Sequence, residues 1–147
     1  MKKTLIALSL VLTVTAATAF AGTPDPVSEE VKTAFKKEFP GAELIAWANA
    51  GEYVKATFIF SGYRSEAYFS EEGELYGSAR NIFYSQLPLA VTQSVEKRYT
   101  GADVIEVSEI TNGNGTRYLL RLDSQKRKYK VQYDAGGNLL DVEKIKK

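Results

Sequence analysis

The side chains able to do chemistry in this chain are mainly carboxylates, because it contains no histidine and no cysteine. A Ser-His-Asp triad, a cysteine nucleophile and zinc sites built on His or Cys are therefore excluded within one chain. A carboxylate pair for hydrolysis stays open. The candidate acids fall in turns or on the polar side of alternating strands, where solvated acids are expected: Glu66, Glu71, Glu72, Glu74, Asp123, Asp134 and Asp141.

No acidic loop has the Asp-x-Asp-x-Asp-Gly spacing of a calcium site. The sequence therefore predicts a protein that is not an enzyme, has no cofactor and has no metal site. A carboxylate-based hydrolase is the weaker alternative.

A basic run, Lys126-Arg127-Lys128 followed by Lys130, lies near the C-terminal end. It has two interpretations: a patch for an acidic partner, a polyanion or a membrane surface, or a solvated strand whose lysines oppose edge aggregation. The second is favoured, because the whole chain has 19 basic and 18 acidic residues. A near-neutral chain has no global attraction for nucleic acid, so none is predicted as a partner.

The strands show a period of two, with one apolar side and one mostly polar side. Ile59 and Leu119 break this rule, being apolar residues on the side that alternation assigns to solvent, and Tyr68 is expected to be exposed there. The cover of an adjacent copy or a dimer partner would also explain the two apolar residues. The polar side is predicted to be a protein-binding surface made of Lys55, Thr57, Ile59, Arg64, Glu66, Tyr68, Leu119, Arg121, Lys128, Lys130 and Gln132.

These strands belong to a pattern that occurs twice. Phe39-Pro40-Gly41-Ala42 closes a helical stripe, and Tyr99-Thr100-Gly101-Ala102 closes a second one 60 positions later. Short alternating runs follow each, ending in turns with Gly73-Glu74-Leu75 and Gly137-Asn138-Leu139. The pattern predicts an α+β fold: a tandem repeat of a helix plus a four-stranded antiparallel sheet, with both helices on one face and the other face open. The predicted units are residues 22–83 and 84–147, packed as one compact unit.

The first residues are typical of a secretory signal peptide covering residues 1–21. Lys2 and Lys3 precede an apolar run from Leu5 to Val14, and Ala19-Phe20-Ala21 is a small-x-small cleavage site. The apolar run is too short to span a bilayer. We therefore expect cleavage after Ala21, a periplasmic or secreted location, and no stable membrane insertion after cleavage.

The helix-ending motifs at 39–42 and 99–102, together with the turns at Glu71–Leu75 and Asp134–Leu139, resemble those of the PepSY-like and β-lactamase-inhibitor-like (BLIP-like) exported bacterial proteins. The resemblance covers nearly all of residues 27–145. It implies tandem helix-plus-sheet halves whose open sheet grips a protein, with an enzyme as the target of the inhibitor. This chain differs in lacking disulfide cysteines, and no inhibitory loop residue can be matched to it.

Together these features predict a periplasmic or secreted, non-catalytic binding protein whose partner is another exported or envelope protein, perhaps an enzyme that it inhibits. The alternative is a module that binds a small ligand or a cell-envelope polymer.

Overall fold

The computed structural model describes residues 27–146, so the predicted signal peptide lies outside the described residues. Two helices and eight strands alternate in a simple order, with a short 3₁₀ helix at Tyr84–Gln86 before the second helix. Their bounds are α1 Glu29–Glu38, β1 Glu43–Ala50, β2 Tyr53–Phe60, β3 Tyr63–Phe69, β4 Leu75–Asn81, α2 Leu89–Arg98, β5 Asp103–Asn112, β6 Gly115–Asp123, β7 Lys128–Asp134 and β8 Leu139–Ile145.

All eight strands form one antiparallel sheet in the order β1 to β8. The prediction of a repeated unit with its own four-stranded sheet was therefore wrong, although the α+β class holds. The two halves join where β4 pairs with β5, from Gly77 opposite Asn112 to Asn81 opposite Ser108. Periodicity locates strands but carries no signal for which edges pair, and joining removes two exposed edges at once.

Both helices cover the same face of this sheet. In the N-terminal half (α1 and β1–β4), Val31 and Phe35 of α1 pack on Phe58 and Phe69. In the C-terminal half (α2 and β5–β8), the buried core consists of Val91, Val95, Val107, Tyr118, Leu120, Leu122, Val131 and Tyr133, with Ile82 and Leu87 from the preceding segment. The strand register aligns Phe58 through β3, β4 and β5 with Tyr118, so the two cores lie on one side.

Local signals set the ends of α1. Ser28 caps it by accepting a hydrogen bond from the Val31 N–H at 3.2 Å, and Glu29 and Glu30 occupy the first turn, where the helix dipole favours acids. The helix stops at Phe39, before Pro40-Gly41, as predicted from the sequence. The same stop follows α2, where Gly101 takes a φ of 76°.

Two turn glycines bring the start of each helix close to the sheet. A Cβ on Gly73 would lie 2.8 Å from the Glu30 carbonyl oxygen, and a Cβ on Gly137 would meet the Ala90 carbonyl oxygen. Both glycines also have positive φ, at 87° and 80°. These positions therefore admit glycine for two reasons, backbone conformation and close approach.

Candidate binding face

The face of the sheet opposite the helices, called the open face below, carries all eleven residues predicted as the binding surface. Lys55, Thr57 and Ile59 of β2 pair with Tyr68, Glu66 and Arg64 of β3. On the other half, Leu119, Arg121 and Asp123 of β6 pair with Gln132, Lys130 and Lys128 of β7. The alternate residues of these strands belong to the helix-covered cores, so parity assigned the face correctly.

The centre of the open face is buried without a helix above it. Leu119 packs with Ala79 and Ile110 in a small apolar cluster contributed by both halves of the sheet. Thr57, Tyr68 and Leu119 are each less than 10% exposed, at 7%, 9% and 9%. The expectation that Tyr68 and Leu119 face solvent was therefore wrong, because neighbouring strands of one continuous sheet cover them. Gly77 stands opposite Tyr68 and leaves space beside its ring.

A polar network holds the N-terminal half of the open face. Lys55 Nζ lies 3.4 Å from Glu66 Oε1, and the Tyr68 hydroxyl donates a hydrogen bond of 3.0 Å to Glu66 Oε2. Burial, and then the adjacent Glu66 carboxylate, raise the pKa of Tyr68, so its hydroxyl keeps its proton at neutral pH. Both oxygens of Glu66 are thus occupied by donors of its own face, which suits a positioning role better than acid/base work.

The charges of the C-terminal half are paired with one another. Arg121 contacts Glu106 at 3.3 Å, Lys130 contacts Glu143 at 3.9 Å, and Lys128 contacts Asp123 at 3.9 Å. Gln132 lies half-buried between these strands. Exposed pairs of this kind contribute little stability, but they cancel the local field. The basic strand is therefore a weak attractor for a polyanion.

A cavity of about 410 Å³ opens where β2, β3 and the end of β4 meet. Its lining residues are Ser61, Gly62, Tyr63, Arg64, Asn81, Ile82 and Phe83. Phe83 is 72% exposed, an unusual position for an aromatic ring. Arg64 is also exposed and makes no ion pair with any residue between 27 and 146. The cavity therefore joins an open aromatic ring to an uncompensated positive charge at the lower end of the open face.

The sequence prediction included Arg64 but missed Phe83 and Asn81. A usable signal was present: Ile82 is buried in the core, so alternation places the next residue on the opposite side. Phe83 had instead been assigned to the segment joining the two halves. Its exposure became apparent only when the chain beyond β4 was seen to continue along the sheet, with the Ile82 N–H donating to Val107 O at 3.0 Å.

A pair of tyrosines marks the opposite end of the N-terminal half. The rings of Tyr53 and Tyr76 are 4.6 Å apart, and Tyr76 is 53% exposed. The hydrogen bond between the two hydroxyls, together with desolvation, raises the pKa of Tyr53 to about 12. Both tyrosines are therefore neutral polar groups at physiological pH.

Two searches of residues 27–146 bear on other classes of function. No group of three or more His, Cys, Asp or Glu side chains in this range is arranged to hold a metal ion. Neither helix within it is long and apolar enough to cross a membrane.

The fold is shared with solved bacterial structures at low sequence identity. A BLIP-like protein of Bacteroides fragilis matches with a TM-score of 0.75 at 23% identity, over 84% of this chain and 89% of that chain. A candidate periplasmic protein of Bacteroides eggerthii matches with a TM-score of 0.77 at 20% identity, over 83% and 91%. A DUF2874 family protein of Bacteroides ovatus matches with a TM-score of 0.75 at 21% identity, over 82% and 89%.

No protein-family model matches the sequence, and no curated protein matches it. The chain therefore has a BLIP-like fold, which confirms that part of the predicted resemblance at the level of fold. The PepSY part stays a prediction.

Proposed function

We propose that this protein is a non-catalytic exported protein that binds another exported or envelope protein on the open face. The observation that carries the proposal is the pairing of Phe83 with Arg64 at the cavity on the rim of that face. Aromatic and arginine side chains beside a pocket are the residues that dominate binding energy at protein interfaces. Phe83 has only two side-chain torsions to fix, so ordering it on binding costs little entropy.

The partner is defined by the chemistry of this cavity. Arg64 has five N–H donors and no acidic neighbour among the described residues, so it fits a carboxylate of the partner. Phe83 fits an apolar side chain next to that carboxylate. The paired charges on β6 and β7 then form a neutral rim that excludes partners with a strong field of one sign.

Export rests on two supports: the predicted signal peptide, and a fold shared with a protein named as a candidate for the periplasm. Inhibition of an enzyme is the finer form of the proposal and rests on the BLIP-like fold alone.

A photo-crosslinking amino acid at Phe83 tests the proposal in the native envelope. Leu89, at the start of α2 on the helix-covered side, is the matched control because it is 71% exposed against 72% for Phe83. We expect a discrete protein adduct from position 83, none from position 89, and loss of the adduct when Arg64→Ala is added. Equal adducts from both positions, or no protein adduct from position 83, would contradict the proposal.

Binding of a small ligand or an envelope polymer is the second candidate, since a cavity of about 410 Å³ lies within the range of small-molecule sites. The same experiment separates the two functions. A polymer or small-ligand site would give a crosslink at position 83 to non-protein material that resists protease.

A further inference from the structure

The sheet ends in two edge strands that are built very differently. Strands β1 and β8 each pair with one neighbour only, so the outer side of each presents unpaired backbone N–H and C=O groups. Within residues 27–146, nothing pairs with the outer edge of β1. Exposed edges of this kind are templates for another strand unless the sequence protects them.

Strand β8 is protected by charge. Its open-face residues Asp141 and Glu143 pair with Gln132 and Lys130 of β7, and Lys144 lies beside them. In a symmetric antiparallel pairing of β8 with itself, residues of the same face oppose one another. Centring that pairing on 141, 142 or 143 places an acid opposite itself or opposite the other acid. Like charges directly opposite destabilise strand pairs, so β8 disfavours self-association.

Strand β1 lacks this protection. After Glu43 it contains no charged residue and no proline up to Ala50. Leu44 and Ile45 are 45% and 51% exposed, and Ala46, Ala48 and Asn49 are exposed as well. A bulge between Leu44 and Ala46 blunts only the first part of the strand, leaving a regular ladder from Ala46 to Ala50.

We propose that β1 pairs antiparallel with β1 of a second copy of this chain about a two-fold axis through the middle of the strand. Every symmetric register over Ala46–Ala50 opposes small or neutral side chains, so no charge is buried or opposed. An isologous contact of this kind closes after two copies and does not propagate. The charged β8 strands remain at the two outer ends of the combined sheet.

The two-fold axis would stand perpendicular to the sheet, because the strands of both copies lie in one surface. Both open faces would then point the same way and lie side by side. The dimer would present two Arg64–Phe83 cavities on one side, which favours a partner with two contact sites through effective concentration. The self-pairing itself does not depend on the proposed function.

Sedimentation of the purified protein over a concentration series tests the proposal. We expect a monomer–dimer equilibrium in the wild type and a dimer weakened by about tenfold or more in Ala46→Lys, because two lysines would meet near the axis. Leu140→Lys, at a site 47% exposed on β8, is the matched control and should dimerise like the wild type.

A charge-swap experiment separates pairing from misfolding. Ala46→Lys and Ala46→Glu should each be monomeric with wild-type circular dichroism spectra, and mixing them should restore a heterodimer. Trp47 is the single tryptophan of the chain and lies on β1, so its emission should change with protein concentration in the wild type and in Leu140→Lys but not in Ala46→Lys.

Two results would overturn the proposal. One is a wild type that stays monomeric up to millimolar concentration, which would leave the edge to an extended segment of a different protein. The other is a dimer that Leu140→Lys disrupts and Ala46→Lys does not.

Discussion

In the N-terminal half of the molecule the helix packs phenylalanines on the sheet, whereas in the C-terminal half it packs valines on leucines and a tyrosine. Phe35 alone contacts the rings of Phe39, Trp47, Phe58 and Phe69 at centroid distances of 5.0–6.5 Å. The counterpart of Phe35 in the other half is Val95, which lies among Leu120, Leu122 and Val131. Aromatic and aliphatic residues thus fill equivalent spaces beneath the two helices.

The turns that follow the third strand of each half show the same relation at a smaller scale. Ser70 and Asp134 occupy matching positions, and the side-chain oxygen of each accepts from the backbone N–H four residues later, Glu74 at 3.3 Å and Asn138 at 2.9 Å. The glycine in each turn, Gly73 or Gly137, contacts the helix backbone. The backbone demands are therefore shared, and the side chains that meet them differ.

The comparison shows which features can vary. Positions that must accept a positive φ or a close backbone contact are the same in both halves, because only glycine meets both conditions. Positions that need only volume or an acceptor oxygen have diverged. Four substitutions test this distinction, ordered by expected effect.

The largest effect is expected for Leu120→Ala, which removes a fully buried side chain of the C-terminal core. The free energy of unfolding should fall by about 2–5 kcal/mol. Because β4 and β5 join the halves, the urea midpoint should fall equally by circular dichroism and by the fluorescence of Trp47, which lies in the other half.

Leu140→Ala is the control for that change, since its 47% exposure predicts a loss of about 0.5 kcal/mol or less. An unchanged Trp47 transition in Leu120→Ala would show that the two halves unfold separately and would break the comparison of halves within one cooperative unit.

The next effect is expected for Gly137→Ala. Its Cβ would meet the Ala90 carbonyl oxygen and would also stand on a residue with a φ of 80°, so we expect a loss of about 2–4 kcal/mol. Gly101→Ala carries the conformational strain alone, because nothing lies within 4 Å of its Cβ, and should cost about 1–2 kcal/mol. Equal losses in the two variants, measured by urea unfolding, would mean that helix contact does not constrain the turn.

A smaller effect is expected for Ser28→Ala, which removes the side-chain cap of α1. Unfolding should become easier by about 1 kcal/mol, seen as a lower thermal midpoint. The position before α2 is Pro88, which offers no side-chain cap, so the two halves differ here. Ser85→Ala, at an exposed position of the 3₁₀ helix, should leave the midpoint unchanged; a loss equal to that of Ser28→Ala would refute the capping role.

The smallest effect concerns pH. Hydrogen bonds from the Asn138 side chain and then its backbone lower the pKa of Asp134. A lowered carboxyl pKa stabilises the fold above the ordinary value of about 3.9, and that contribution is lost as pH falls through the lowered pKa. Asp134→Ser copies the turn of the other half, so it should have a lower thermal midpoint than the wild type at neutral pH, and the difference should vanish in acid.

Ser70→Asp is the reciprocal change, since its turn contains no titrating group at this position. It should acquire the acid-sensitive increment that Asp134→Ser loses. A constant difference between wild type and Asp134→Ser at all pH values would show that the carboxylate charge has no part in the turn.

Much of the fold follows from local rules that can be read along the chain. The Ser28 cap, the helix stops near Pro40 and Thr100, and the turn at Asn112–Gly115 each depend on residues within a few positions of one another. Parity also assigned every predicted binding residue to the correct face. Burial on that face was not predictable, because the cover over Tyr68 and Leu119 comes from strands far away in the sequence.

The candidate site shows the same limit. Arg64 was found because it follows a predicted turn on the polar side, while Phe83 was missed because its environment depends on the chain path after β4. A cavity is a relation between the β2–β3 turn and the end of β4, and neither segment encodes it alone.

The sequence by itself determined the α+β class, the two helices, the alternation of the strands and the glycine turns, because these depend on backbone conformation and on near neighbours. Only the tertiary structure decided that eight strands make one sheet, that the centre of the open face is buried, and that Phe83 and Arg64 share a cavity. Those outcomes depend on which strand edges meet, and pairing is decided by the burial and hydrogen bonding of the whole chain.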